Sequence, residues 1–305
     1  MIDPNTMENT PLFTYTLRLA DDLLILSHRL SEWCGHGPVL EEDIALTNRA
    51  LDHIGEARNL YTYAGQVEGK GRDEDALAYL RNERQFVNTK LVEQPNGDYA
   101  HTIVRSFLFD AYHLPLAEAL TKSADAQLAA IAAKAVKEAQ YHVKHSSDWL
   151  IRFGDGTEES HRRAQEALDN LWTYSGDLFV MDAMHQDLVK AGIAPDLTKI
   201  KAAFDATVDR VLAEATLKRP ADGFMATGGR EGKHGEQLGF ILAEMQYLQR
   251  AYALRPEAEI AAHLGEVLWK LGRTEEARTL WRTAASREPD NETLRATLAR
   301  LNIAL

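Results

Sequence analysis

The sequence predicts an all-α protein. Apolar residues recur every three or four positions over long stretches, which is the period of an amphipathic helix. Glycine and proline are concentrated between these stretches, where helices end. No segment combines the alternation of a strand with the turn chemistry of a hairpin.

Four long stretches of helical periodicity predict a four-helix bundle. The acidic start of the second, Glu41 to Asp43, suits the positive end of a helix dipole. Between the second and third, Asp75 to Val92 predicts a helix that ends before the turn signal Pro95-Asn-Gly97. The four long helices are predicted over Thr14 to Cys34, Glu41 to Val67, Tyr99 to Leu120, and Gln127 to Phe153.

Further helices are predicted after the turn at Gly154 to Thr157. They run over Glu159 to Ala191, over Leu197 to Leu217, and from Glu236 onward. The glycine-rich stretch Pro220 to Gly235 predicts a surface loop or a mobile arm.

The last part of the chain has the spacing of a tetratricopeptide repeat. One full repeat is matched, and a preceding one only in fragments, at Ala251 and Pro256. A single repeat cannot bury its own apolar face, so this tail is interpreted as an inert C-terminal cap or a fusion. The repeat positions are Leu264, Gly265, Leu268, Gly272, Ala277, Trp281, Ala284 and Pro289.

Composition limits the class of protein. The chain has 305 residues, a net charge of −12 and one cysteine, Cys34. The negative charge argues against nucleic acid or an anionic membrane as partner, and the single cysteine excludes an internal disulfide. No apolar run reaches the ~20 residues of a membrane span. We expect a cytoplasmic protein in which residues 1–12 are a disordered or cloning-derived leader.

The predicted fourth long helix raises the question of a metal site. Ferritin-like di-iron bundles use carboxylates from two helices and a Glu-x-x-His pair from each of the other two. The candidate carboxylates here are Asp21 or Asp22, Asp52, Asp110 and Glu138. Three residues after Glu138, however, stands Tyr141 instead of histidine. We therefore predict a degenerate site without metal.

A lysine is predicted to replace the metal charge. Lys134 lies one helical turn before Glu138, on the face that carries Tyr141, so its ammonium is the candidate counter-charge. The alternative is a living oxygenase site in which His113 or His142 supplies the missing imidazole. His113 is the stronger of these two candidates, but we favour its interpretation as a hydrogen-bonded core histidine.

Several uncommon strings resemble the C subunits of bacterial phenylacetyl-CoA epoxidases. The resemblance runs in register from Phe13 to Arg250. The strings are Thr16-Leu-Arg-Leu-Ala-Asp21, Leu30-Ser-Glu-Trp-Cys-Gly-His-Gly-Pro38, Gly55-Glu-Ala-Arg-Asn59, Glu83-Arg-Gln-Phe86, Leu91-Val-Glu-Gln-Pro-Asn-Gly97, Lys137-Glu-Ala-Gln-Tyr-His142 and Leu242-Ala-Glu-Met-Gln-Tyr-Leu-Gln-Arg250.

The resemblance implies a ferritin-like structural subunit that binds no cofactor itself. In that family a homologous catalytic subunit holds the di-iron centre, and a small B subunit and a reductase with flavin and iron–sulfur groups complete the complex. The complex epoxidises the ring of phenylacetyl-CoA in phenylacetate catabolism. The resemblance also implies contact with the CoA thioester by Gln85, Phe86, Val87 and Asn88, whose amides are suitable donors. A second implied segment, Gln186, Asp187 and Leu188, departs from the family's more apolar pattern.

Three hypotheses follow. The first is a non-catalytic subunit that stabilises a di-iron partner and self-associates within the complex. The second is a di-iron oxygenase in its own right, and the third is an adaptor that works through the repeat. We expect a ferritin-like domain over residues 13–250 and a tetratricopeptide-like tail over residues 251–305.

Overall fold

A computed structural model describes residues 10–243, 257–270 and 273–303. The chain divides into two compact units, Met1–Gln237 and Leu238–Leu305. The predicted boundary at 250/251 and most of the predicted leader lie outside the described residues. Throughout the described ranges the secondary structure is helical and contains no strand, so the all-α prediction is confirmed.

Four long helices form the central bundle of the first unit. They are α1 (Pro11–Ser31), α2 (Leu40–Glu68), α5 (Tyr99–Leu120) and α6 (Ala126–Gly154). Helix α1 packs along α2, α5 packs along α6, and α2 also contacts α6. Side-chain caps fix the starts of three of them, at Thr10, Asp98 and Asp125. The predicted bounds agree with these helices to within three residues at each end.

The prediction of one helix over Asp75 to Val92 was wrong. The chain there forms α3 (Glu74–Tyr79), a 3₁₀ turn (Glu83–Gln85) and α4 (Lys90–Glu93). Between them, the amides of Val87 and Thr89 donate to the buried carboxylates of Asp21 and Asp22. These tertiary hydrogen bonds hold the backbone extended and so override the local helical pattern.

The prediction of one helix over Glu159 to Ala191 was also wrong. The segment divides into α7 (Glu158–Ser175), a 3₁₀ turn (Gly176–Phe179) and α8 (Ala183–Lys190), and α9 (Leu197–Glu214) follows. Buried Asp177 accepts hydrogen bonds from the backbone amides of Lys90, Gly228 and Gly229, and these bonds fix the turn.

The glycine-rich stretch before residue 236 is anchored to the bundle. Arg230 reaches into the interior, where its guanidinium donates to Asp22 at 2.6 Å and to the carbonyl oxygens of Arg18 and Val87. This part of the predicted surface loop is therefore tied down by a buried ion pair. Residues 236–243 belong to a further helix, α10.

The second unit contains α11 (Ala258–Lys270), α12 (Thr274–Arg287) and α13 (Glu292–Arg300). Trp281 is fully buried at its centre. A Cβ on Gly265 would lie 2.1 Å from Trp281 Nε1, so only glycine leaves room for this indole. The tetratricopeptide assignment itself stays a prediction, because Ala251, Pro256 and Gly272 fall outside the described residues.

In the portion of the chain that the structure covers, no helix has the length and apolar character needed to cross a bilayer.

Candidate functional site

The predicted site residues lie in three different places in the bundle. Asp21 and Asp110 are buried in the interior. Asp52 is half-buried, and Lys134 and Glu138 are exposed on the facing helix. The Tyr141 side chain is 49% exposed. The structure therefore does not bring the predicted carboxylates and the phenol together around one point.

Asp21 is fully engaged by groups of this chain. Both terminal nitrogens of Arg81 donate to its carboxylate, Tyr61 Oη donates to Oδ1 at 2.5 Å, and the Val87 amide donates to Oδ2 at 2.8 Å. Burial, followed by the Asp21 charge, raises the pKa of Tyr61 well above its ordinary value, so this phenol stays a donor. The Asp21 carboxylate has no free face for a metal.

Asp110 on α5 is paired with an arginine in a similar way. Arg49 Nη2 donates to Oδ2 at 2.6 Å, and Ser146 Oγ donates to the same oxygen at 2.7 Å. Both charged side chains have no exposed area. The counter-charges of the buried carboxylates are thus arginines, and in the described residues no ion pair joins Lys134 to Asp21 or Asp110.

Lys134 instead lines an open cavity of about 240 Å³ between α2 and α6. Asp52, Glu56 and Glu138 line the same cavity. Partial burial and the neighbouring charges of Asp52 and Glu56 raise the pKa of Glu138. The cavity therefore presents a concentration of negative charge with one lysine at its wall.

Next to this cavity lies a buried cluster that includes His53, Asp110 and His142. Each offers one ligand atom, and the three atoms lie within 4.8 Å of one another. Within the described residues, His53 Nε2, Asp110 Oδ1 and His142 Nδ1 have no hydrogen-bond partner. Leaving one such buried group unsatisfied costs about 1–3 kcal/mol.

Burial keeps both histidines of the cluster neutral. It lowers the pKa of His53 well below 6.5, and the nearby His142, His113 and Arg49 lower it further. Burial also lowers the pKa of His142, although its hydrogen bond to Asp52 acts in the opposite direction. Neutral imidazoles of this kind are the form in which histidine binds metals.

His113, the predicted rescue residue, has a different partner. Its Nε2 lies 3.3 Å from Glu56 Oε1. Burial lowers the pKa of His113, but the charge and hydrogen bond of Glu56, together with the charges of Asp110 and Asp22, outweigh burial and raise this pKa overall. The ring stacks on Phe109 with centroids 5.4 Å apart. His113 is thus a hydrogen-bonded core histidine beside the cluster.

These residues do not fit a ferritin-like di-iron centre. Such a centre needs bridging and terminal carboxylates with free oxygen atoms, together with two imidazoles in Glu-x-x-His pairs. Here arginine occupies Asp21 and one oxygen of Asp110, and Tyr141 projects toward solvent at the position where an imidazole is needed.

The segment implied to contact a CoA thioester uses its amides within the chain. The amides of Gln85 and Phe86 donate to the carbonyl oxygens of Asn82 and Glu83. The Val87 amide donates to Asp21, and the Asn88 side chain is buried against Thr89 and Glu93. The backbone amides of Gln85, Phe86 and Val87 thus have partners within the chain, and contact of this segment with a CoA thioester stays a prediction.

The second implied segment lies on α8. Gln186 and Asp187 are exposed, and Lys190 pairs with Asp187 at 2.8 Å. Leu188 belongs to the core, with 5% exposure. Contact of this segment with a substrate stays a prediction.

Sequence reasoning missed the residues that fill the bundle interior. His53 directly follows Asp52, and the carboxylate three positions after it, Glu56, gives the order His-x-x-Glu and not the Glu-x-x-His order of a di-iron ligand pair. Arg49 and Arg81 carry no motif either. The only sequence signal for a buried counter-charge was an arginine at a position of the helical pattern that faces the core.

A family model described as "Phenylacetic acid catabolic protein" matches residues 2–255. The chain belongs to this family. It is 51% identical over 239 residues to a protein named as the C subunit of 1,2-phenylacetyl-CoA epoxidase, from Escherichia coli (strain K12), and the match covers 78% of this chain and 96% of that protein.

Family membership covers the whole bundle and all of the residues discussed above. The three helices α11 to α13 begin at Ala258, after the last residue of the match. The match to the phenylacetic acid catabolic family thus covers the first unit and the start of the second, and these three helices lie outside the matched range.

Proposed function

We propose that this chain is the non-catalytic structural subunit of a phenylacetyl-CoA epoxidase. In this proposal it pairs with a homologous subunit that holds a di-iron centre, beside a small B subunit and a reductase that carries flavin and iron–sulfur groups. The observation that carries the proposal is the pairing of Asp21 with Arg81 and of Asp110 with Arg49. The relative named as the C subunit of such an epoxidase supplies the reaction.

The arginine pairs support a structural role by their position. Arg49 joins α2 to Asp110 on α5, and Arg81 joins the segment after α3 to Asp21 on α1. A buried ion pair with one partner missing leaves an uncompensated charge, so each pair enforces one arrangement of the helices. An arginine side chain neutralises a buried carboxylate without redox chemistry. This suits a subunit that supports a catalytic partner.

The partner is proposed to bind along α2. Leu40, Ile44 and Leu51 lie on one face of this helix at helical spacing, with exposures of 72%, 51% and 38%. An apolar strip of this kind on a member of a complex is a natural site for binding another member. The stretch from Trp172 to Met184 also carries several apolar residues, but it is less suitable because Trp172 is buried against Phe204 and Arg219.

A second candidate function is an oxygenase active by itself. It is favoured by the cluster of His53, His142 and Asp110, because two histidines and one carboxylate are the ligands of non-haem iron oxygenases. The di-iron form of this hypothesis is disfavoured by the arginine pairs. The two functions differ in whether this chain alone turns over substrate.

The test is to purify this chain alone and together with the catalytic and B subunits, from iron-supplemented cultures. The proposed function requires that the complex contain about two irons per catalytic subunit. It also requires that the isolated chain, given phenylacetyl-CoA and an electron donor, consume no oxygen above background. Two coupled irons in the isolated chain, or turnover by it, would refute the structural assignment and favour the second function.

A further inference from the structure

Three atoms that can bind a metal lie close together in the interior of the bundle. Two are imidazole nitrogens, of His53 and His142, and one is a carboxylate oxygen of Asp110. They come from three different helices, α2, α5 and α6. Their exposures are 1%, 1% and 2%, and the three ligand atoms lie within 4.8 Å of one another. Each residue also has a buried nitrogen or oxygen without a hydrogen-bond partner among the described residues. An ion bound between the three residues is one partner that such unpaired groups accept.

The outer contacts of two of these residues are those of metal ligands. His142 Nε2 lies 2.9 Å from Asp52 Oδ2 and donates its proton there, so Nδ1 keeps its lone pair. Asp110 Oδ2 accepts hydrogen bonds from Arg49 and Ser146, and Oδ1 stays without a partner among the described residues. Histidine ligands are commonly oriented by a carboxylate on the other ring nitrogen in this way, and ligating carboxylates are themselves hydrogen-bonded.

The neighbouring cavity favours cations close to the cluster. Asp52, which holds His142, also lines the cavity between α2 and α6, together with Glu56, Glu138 and Lys134. Three formal negative charges face one positive charge there, and a cleft lined by one sign of charge raises the local concentration of the opposite ion. Arg49 opposes a cation from the inner side, but its guanidinium is directed to Oδ2 of Asp110 and to His145.

We propose that His53, Asp110 and His142 bind one Zn²⁺ ion. Two imidazoles and one carboxylate are a known zinc ligand set, and a fourth position is then open to water. Calcium and magnesium prefer all-oxygen sites and suit this cluster less well. Zinc–ligand bonds of ~2.0–2.2 Å at the tetrahedral angle place neighbouring ligand atoms ~3.3–3.6 Å apart, so the three side chains must close by up to ~1.5 Å when the ion binds.

This site differs from the di-iron centre considered above. It holds one ion, and it uses neither Glu138, Tyr141 nor Asp21. The inference stands independently of the proposed function, because it rests on the side chains of this chain alone. The bound ion would cross-link α2, α5 and α6.

The experiment uses the full chain, stripped of metal with EDTA, and titrates it calorimetrically with ZnCl₂. We expect one equivalent to bind with a micromolar or lower Kd and to raise the melting temperature, because an ion that binds only the folded state stabilises it. His53→Gln and His142→Gln should each weaken binding at least tenfold. The matched control is His113→Gln, which alters an adjacent buried histidine outside the cluster and should keep the stoichiometry and the affinity.

Surface histidines can also bind zinc, so a second readout identifies the ligands. X-ray absorption of the 1:1 complex should show nitrogen and oxygen neighbours at about 2.0–2.1 Å with outer-shell scattering from two imidazoles. His53→Gln should reduce this to one imidazole. If His142→Gln does not fold, judged by circular dichroism, His53→Gln decides the outcome by itself. No saturable binding near one equivalent, or equal binding by wild type and a folded His53→Gln, would overturn the proposal.

Discussion

Arg49 donates a hydrogen bond of 2.6 Å to Asp110 where neither side chain has any exposed area. The two residues belong to α2 and α5. In a di-iron bundle the interior carboxylates are neutralised by bound metal. Here an arginine of the same chain performs that neutralisation for one oxygen of Asp110. The interior charge balance is thereby built into the fold.

The first prediction concerns this pair. Arg49→Met should lower the free energy of unfolding by about 3–5 kcal/mol, because it leaves the Asp110 carboxylate buried without its counter-charge. The double variant Arg49→Met/Asp110→Leu should lose clearly less than the sum of the two single variants, because no charge is then stranded. Urea denaturation of metal-free protein measures all four species.

A surface ion pair serves as control for this cycle. Arg162 pairs with Glu159 on the exposed side of α7. Its removal should leave the urea midpoint essentially unchanged, since exposed pairs contribute little. Strict additivity of Arg49→Met and Asp110→Leu would show that the buried pair does not couple α2 to α5.

Gly55 gives a prediction of the opposite sign. It lies within α2, and a Cβ at this position would have no heavy atom within 4 Å. Gly55→Ala should therefore raise the unfolding free energy by about 0.5–1 kcal/mol, because alanine loses less backbone entropy in a helix. Gly154→Ala is the comparison, since its Cβ would lie 1.9 Å from the carbonyl oxygen of Ala215 and should destabilise. A loss of stability in Gly55→Ala would mean that this face of α2 needs a bare backbone.

His28 predicts a specific pH dependence. Burial, with a further contribution from Arg29, lowers its pKa from 6.5 to about 4. Above pH 6.5 the imidazole is neutral in both states and has no effect. Between pH 6.5 and pH 4 the unfolded chain takes up a proton that the folded chain does not, so stability falls as the pH falls.

The variant His28→Gln isolates this contribution. From pH 7.5 to pH 5 the wild type should lose about 1–2 kcal/mol more unfolding free energy than the variant. Urea titrations of both proteins at the two pH values provide the measurement. The same loss in both would show that His28 titrates normally in the folded state.

The long helices were predictable because their cause is local. The spacing of the apolar residues, the stop at Gly35 and the acidic start at Glu41 all act within one segment. The family resemblance was predictable for a similar reason, since a string such as Val92-Glu-Gln-Pro-Asn-Gly97 needs no knowledge of the fold. The comparison with the Escherichia coli relative confirmed that resemblance.

The breaks at Val87 and Asp177 and the identity of the counter-charge could not be read from local patterns. The two breaks depend on hydrogen bonds to residues distant in sequence. Val87 donates to Asp21, 66 positions away, and Lys90 donates to Asp177, 87 positions away. Lys134 had the correct helix face for a counter-charge, but Arg49 and Arg81 reach the carboxylates from other elements. Contacts with residues distant in the sequence, and not local helix propensity, decide the backbone conformation and the ion-pair partners at such positions.

The exposed strip on α2 predicts where a partner subunit binds. Ile44→Glu should reduce recovery of the complex with the catalytic subunit at least tenfold, because it places a charge in an apolar contact. The stability of the isolated chain should change by no more than about 0.5 kcal/mol, since Ile44 is exposed. Co-purification and size-exclusion chromatography measure the first effect, and thermal denaturation the second.

Leu80→Glu is the matched control for this experiment. Leu80 is 76% exposed and lies outside α2, directly after α3. Its substitution should leave the complex intact. Equal recovery of the Ile44→Glu and Leu80→Glu complexes would show that this face of α2 is not part of the interface. The same two variants also test the predicted self-association by light scattering.

The last prediction concerns the second unit. In Gly265→Ala the new methyl group would meet the indole of fully buried Trp281, so α11 and α12 must separate or the ring must turn out of its site. Overpacking of this kind costs typically about 1–3 kcal/mol. Hydrogen exchange should therefore speed up across residues 258–300 and stay unchanged in α1, α2, α5 and α6, because the two units have separate cores. Gly223→Ala, whose Cβ would meet no heavy atom within 4 Å, is the control. Faster exchange in the bundle as well would show that the tail and the bundle unfold together, and the tail could then not be an inert cap.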